Sequence, residues 1–88
     1  MSKVEIYTSP FCGFCSRAKE LLRAKGVIFE EIDIFSVAGA REQMMGRCGG
    51  RTSVPQVFAN NVYIGDCDSI HSLDAQGELE GKLGLDVN

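Results

Sequence analysis

The chain has 88 residues, 44% of them hydrophobic and 24% charged; that is room for one small domain, so residues 1–88 are read as a single domain, and the mix excludes intrinsic disorder and fibrous repeats. A net charge of −3 and a pI near 5.0 argue against a phosphate-reading nucleic-acid binder. No apolar run approaches the ~18 residues of a membrane span, and Lys3 and Glu5 precede any stretch that would serve as a signal-peptide core, so the expectation is a cytoplasmic protein with no membrane partner.

Lys3-Val4-Glu5-Ile6-Tyr7 alternates polar and apolar residues and is bounded by Thr8-Ser9-Pro10, which predicts a short strand. From Cys15 onward, Cys15, Ala18, Leu21 and Leu22 fall at helical spacing with Arg17, Lys19, Glu20 and Arg23 facing out, and Gly26 supplies a stop. Residues 27–35, rich in Ile, Val and Phe, predict a second strand. Ser36 is read as the N-cap of a second helix whose Val37, Ala40, Met44, Met45 and Cys48 share one face and which Gly49-Gly50 ends.

Residues 56–59 and 62–64 flank Asn60-Asn61, which tolerate left-handed turn geometry, and predict a hairpin. Asp68 is read as the N-cap of a third helix carrying Ile70 and Leu73 inward, followed by a weaker helical stretch near 78–83. The order βαβαββα needs a parallel pair with a right-handed crossover and an antiparallel hairpin on the same sheet. The expected class is therefore α/β, a mixed four-stranded sheet flanked by helices. Residues 66–88 hold one Lys against six Asp and Glu, whereas residues 1–65 hold eight basic against six acidic residues, so the tail is read as a solvated acidic surface.

Four cysteines comprise one close pair, Cys12 and Cys15, and the isolated Cys48 and Cys67. A zinc site wants a second close pair, and Cys48, Cys67 and His71 do not give the usual spacing. Cys12-Gly13-Phe14-Cys15 at a strand-to-helix junction sets the first sulfur beside unpaired backbone N–H groups and the positive end of the helix dipole, which favours its thiolate. Cys15, one turn on, is placed to close a disulfide with it. The pair divides into an attacker, Cys12, and a resolver, Cys15. Phe14 offers substrates an apolar lip, and Phe11 either shares it or packs on the sheet. Cys48 and Cys67 are read as packed thiols, Met44 and Met45 as core, and His71 as an ordinary helix residue.

Spacing alone stops at a thiol-disulfide enzyme of thioredoxin-like fold. Val4-Glu5-Ile6-Tyr7-Thr8, the Cys-x-x-Cys with Arg17-Ala18 behind it, Ser53-Val54-Pro55-Gln56 and Gly65-Asp66-Cys67-Asp68-Ser69 occur in the order and character of the glutaredoxin family, and the chain closely resembles its small bacterial dithiol type over nearly the whole length. The resemblance implies a monomeric reductase with glutathione as co-substrate, acting on glutathionylated or disulfide-containing proteins. It implies a cis Val54–Pro55 peptide beside Cys12, with the Val54 backbone pairing to the cysteinyl part of glutathione. Asp68 and Ser69 would receive the γ-glutamyl end at the third helix's N-terminus, and Phe14, Ser53 and Gly65 belong to the same implied site.

Relatives often carry Lys where this chain has Ser9, so the glycyl carboxylate is assigned to Arg41, with Arg17 behind it. Gly13 replaces a common Pro, Phe14 a Tyr and Asp66 a second Gly, and Gly49-Gly50 holds an extra glycine; Asp66 brings negative charge to where an anionic ligand would sit. Cys-Gly-Phe also resembles the cluster-carrying branch of the family, which implies an alternative iron-sulfur carrier, a dimer around a [2Fe-2S] cluster with Cys12 as ligand. Cys15 in place of that branch's Ser argues for the dithiol reductase. A third possibility is a thioredoxin-like electron donor to one partner enzyme.

Overall fold

The computed structural model describes residues 3–84; both ends of the expected domain, including Asp86 of the acidic tail, lie outside the described residues. The elements in order are β1 (Val4–Thr8), α1 (Gly13–Ala24), β2 (Phe29–Asp33), α2 (Ala40–Arg47), β3 (Gln56–Ala59), β4 (Val62–Gly65), α3 (Cys67–Ala75) and α4 (Leu79–Lys82). The sheet order is β2-β1-β3-β4. β1 runs parallel to β2, with Val4 opposite Phe29 and Thr8 opposite Asp33, and antiparallel to β3, with Val4 opposite Ala59 and Tyr7 opposite Gln56. β3 and β4 form the expected hairpin, and Asn60 and Asn61 take the positive φ values, 53° and 68°, that its turn requires. This is the mixed α/β sheet that the element order calls for.

Because side chains alternate across a strand, β1 and β3 feed two different cores. Val4, Ile6, Val57 and Ala59 face α1, α3 and α4, where Ala18, Leu22, Ile70, Leu79 and Leu83 complete a dry aliphatic cluster. Tyr7 and Phe58 face α2 and pack with Ile34, Ala40, Met44 and Cys48. That second face also holds charge. Arg47 reaches across it, 2.8 Å from the Glu5 carboxylate, donating to the Tyr7 hydroxyl at 2.8 Å, with its guanidinium 4.1 Å from the centre of the Phe58 ring. Glu5 is only 7% exposed, so removing Arg47 would leave a nearly buried carboxylate with Lys3, 4.0 Å away, as its remaining ion-pair partner among the described residues.

Three local readings are corrected. Ser36 does not cap α2: the N–H groups of Ser36 and Val37 donate to the Asp33 carbonyl at 3.1 and 3.0 Å, and the Asp33 side chain accepts from the Phe35 N–H at 2.8 Å. That turn uses up the segment, so α2 starts after Gly39 at φ 77°, with no side-chain cap, and Val37 is left exposed. Asp68 does not cap α3; Asp66 does, in extended backbone, accepting the Ser69 N–H at 2.9 Å, because β4 ends at Gly65 and the next residue is the first free to cap. The acidic tail is not wholly solvated either, since Lys25 at the end of α1 pairs with Asp74 and, at 2.9 Å, with Glu80. Cys48, Cys67 and Met44 are buried as expected.

Candidate functional site

β1 delivers the chain to Ser9-Pro10-Phe11, and α1 leaves from Gly13, so Cys12 stands at the junction. Its backbone is extended, its carbonyl accepts the Ser16 N–H at 3.1 Å, and its sulfur accepts the Cys15 N–H at 3.1 Å. This is N-cap geometry with sulfur in the place of a carboxylate or hydroxyl oxygen. A donor N–H and the positive end of a helix are the surroundings that a thiolate takes best. Cys12 is half-buried and open to attack on a substrate, whereas Cys15 is 2% exposed. Burial, helped by the contact with Cys12, pushes the Cys15 thiol up to about 12. An accessible sulfur and a sheltered, protonated one therefore sit one helical turn apart.

Two clefts take lining residues from this segment. One, of about 210 Å³, is lined by Phe14, Ser53, Val54, Pro55, Asp66, Cys67 and Asp68. The Val54–Pro55 peptide is cis, as the resemblance implied. The loop before β3 is held by Gln56, which is fully buried, donates to the Ser53 carbonyl at 3.0 Å and accepts the Tyr63 hydroxyl at 2.6 Å. Burial pushes the Cys67 thiol up, and the Ser69 N–H holds the Asp66 carboxyl below the usual carboxylate range. Two carboxylates thus face one small cleft.

Five of the sequence-expected site residues, Phe14, Ser53, Val54, Pro55 and Asp68, come together there. Ser69 lies beside it, in a neighbouring groove with Ile64 and Ser72. Gly65 serves by having no side chain: at φ 145°, a Cβ would stand 2.4 Å from that of Ser69. Arg41 does not line the cleft; its guanidinium donates to the Thr52 carbonyl at 3.2 Å and lies 5.9 Å from the Phe35 ring.

The second cleft, of about 440 Å³, holds Cys12 and Cys15 with Thr8, Phe11, Lys19 and Glu31. Glu31 accepts from Thr8 at 2.8 Å and pairs with Lys19 at 3.0 Å. Sequence reasoning missed both this pair and the Asp66 cap. Nothing local links Lys19 on α1 to Glu31 on β2; for the cap, the sequence signal was Asp66 itself, a capping residue type that directly follows Gly65 after the β-prone run of residues 62–64.

The glutaredoxin family model matches residues 4–64. Glutaredoxin 3 of Escherichia coli (strain K12) is 50% identical over 83 residues, covering 94% of this chain and 99% of that protein. The solution structure of glutaredoxin from Brucella melitensis is 40% identical, with a TM-score of 0.78 over 97% of this chain and 94% of that one. The crystal structure of the buckwheat glutaredoxin-glutathione complex is 26% identical, with a TM-score of 0.84 over 94% of this chain and 77% of that one.

Proposed function

The chain belongs to the glutaredoxin family and is a thiol-disulfide oxidoreductase, and from that premise we propose that it is a monomeric, single-domain, glutathione-dependent reductase of protein-glutathione mixed disulfides and protein disulfides, working in the cytoplasm. The observation that carries the reading is the small cleft built from Val54, cis Pro55 and Asp68, which Phe14 of the Cys12–Cys15 segment also lines. The relative solved as a glutathione complex supports it.

In this reading Cys12 thiolate attacks the glutathione sulfur of a mixed disulfide, releasing the protein thiol and leaving glutathione on Cys12. A second glutathione thiolate then attacks that glutathione sulfur, restoring Cys12 and departing as oxidised glutathione. On a protein disulfide, Cys12 first forms the mixed disulfide, and Cys15 loses its proton and displaces the product, leaving a Cys12–Cys15 disulfide that glutathione reduces. Val54 supplies backbone groups for the cysteinyl part of glutathione, with Ser53, Pro55 and Gly65 shaping the wall. Asp68 and Ser69 meet the γ-glutamyl end, and Arg41, which stands outside the cleft on the Thr52 carbonyl, would have to turn from it to take the glycyl carboxylate.

The cluster-carrier reading has less support. Among the described residues Cys12 is the one cysteine that is not buried, which is the one ligand per subunit that this alternative asks for beside two glutathione thiolates, but Cys15 competes for that thiol by disulfide formation. A glutathione-coupled reductase assay, with visible absorbance recorded on the same sample, tests both. Turnover by a colourless protein supplied with glutathione and glutathione reductase is the expected result; turnover supplied by thioredoxin reductase alone would overturn it.

A further inference from the structure

Thiol-disulfide chemistry at Cys12 and Cys15 does not account for Phe11. Its ring is fully exposed, the most exposed of the large apolar side chains among the described residues. Its backbone sits at φ 58°, where the other positive-φ residues described are all glycine or asparagine. It follows Pro10, and after a turn-initiating proline the left-handed position suits glycine or asparagine and strains a large side chain. Neither buried area nor a relaxed backbone favours phenylalanine there, and such combinations collect where a side chain is held out for a partner.

Phe11 and Cys12 line the same cleft, which shares no residue with the cleft of Phe14 and Val54. Among the described residues the one cation lining that cleft is already taken: Lys19 pairs with Glu31, which also accepts from Thr8, while Asp33 accepts only from the Phe35 N–H. No unpaired cation among them lines the cleft, so attraction of a partner there falls to the exposed ring. We propose that Phe11 is a specificity-determining residue for polypeptide disulfides, packing its ring on an apolar side chain next to the partner's cysteine while Cys12 attacks. Cys12 thiolate breaks the partner's S–S bond and bonds to one half. The other half leaves as a thiolate and takes the proton that Cys15 gives up. Cys15 sulfur then displaces the bound half as a thiolate, so the partner gains two electrons and the enzyme ends as the Cys12–Cys15 disulfide.

The test is a single turnover of the pre-reduced protein with two disulfide-linked peptide dimers, one with leucine and one with glycine on both sides of cysteine. No glutathione is present, so the outcome is separate from the reading of the other cleft. The wild-type protein is expected to react roughly fivefold faster with the leucine-flanked dimer, the effect of covering part of one apolar side chain. Phe11→Asn, which keeps the left-handed turn, should bring that preference below twofold and raise Tm by ~2 to 6 °C as strain is relieved, while Phe11→Tyr should retain the preference. Phe11→Gly provides a second strain-relieving variant with the same expected loss. A wild-type protein without the preference, a preference that survives Phe11→Asn and Phe11→Gly, or a lower Tm in both would overturn the inference.

Discussion

The N-termini of α1 and α3 are built by the same local device. In each, the residue just outside the helix is extended and its side chain accepts the N–H three positions on: Cys12 sulfur from Cys15 at 3.1 Å, and Asp66 carboxylate from Ser69 at 2.9 Å. The difference is what the cap is free to do. Aspartate is among the best caps and sulfur a weak acceptor, so α3 begins with a static anchor and α1 with a group that holds its helix less firmly and leaves to react. In the proposed function stability is concentrated at one helix start and reactivity at the other, and substitution should separate them.

The largest effect belongs to Cys12→Ser. A hydroxyl is not ionised at neutral pH, so reductase turnover should fall by about a thousandfold or more, yet serine is a better cap than cysteine and urea unfolding should show equal or greater stability, by up to ~1 kcal/mol. A variant both inactive and clearly less stable would break the contrast with α3. Cys15→Ser comes next. It should lose most action on protein disulfides, by about tenfold or more, because no resolving sulfur remains, and keep substantial turnover on a small glutathione mixed disulfide. Equal loss on both substrates would mean that Cys15 does more than resolve.

Asp66 supplies the complementary pair. Asp66→Ala should cost ~1 kcal/mol in urea unfolding while turnover survives. Asp66→Asn keeps the capping oxygen but not the charge, and pH then separates the two. The folded protein holds the Asp66 carboxyl below its ordinary value, so the charged cap contributes fully above the unfolded value near ~4 and its contribution is lost as pH falls through the depressed folded value. As pH falls from about 5 through the depressed folded value the wild type should therefore lose more stability than Asp66→Asn; parallel profiles would show that the charge adds nothing to the cap. The smallest effect is expected at Arg41, on α2, whose start has no side-chain cap. Arg41→Ala should raise the KM for glutathione about fivefold through one lost charge-assisted contact, and an unchanged KM would leave the glycyl carboxylate to solvent.

Much of this was legible in the residues. The alternation in β1, the apolar face of α1, the Asn60-Asn61 turn and the placing of Cys12 at a strand-to-helix junction all follow from patterns a few residues long, and the structure keeps each of them. The readings that failed were also local, and failed because another group had claim to the same atoms. Ser36 has the right chemistry for a cap, but Asp33 had already taken the neighbouring N–H groups. Asp66 and Asp68 are equally good caps, and the end of β4 chose between them.

What the sequence by itself determined, then, is the order of elements and the place of Cys12 and Cys15 at a strand-to-helix junction, because hydrophobic period, turn chemistry and a helix end act over short stretches of chain. Only the tertiary structure decided the rest: that Glu5 is buried because Arg47, 42 residues away, lies across its face of the sheet; that buried Gln56 holds the Val54–Pro55 loop against the hairpin; and that Lys19 and Glu31 neutralise each other in the cleft beside Cys12. Each of these is a polar group whose desolvation is offset by a partner from another element, and no local pattern names that partner until the sheet and helices have closed on one another.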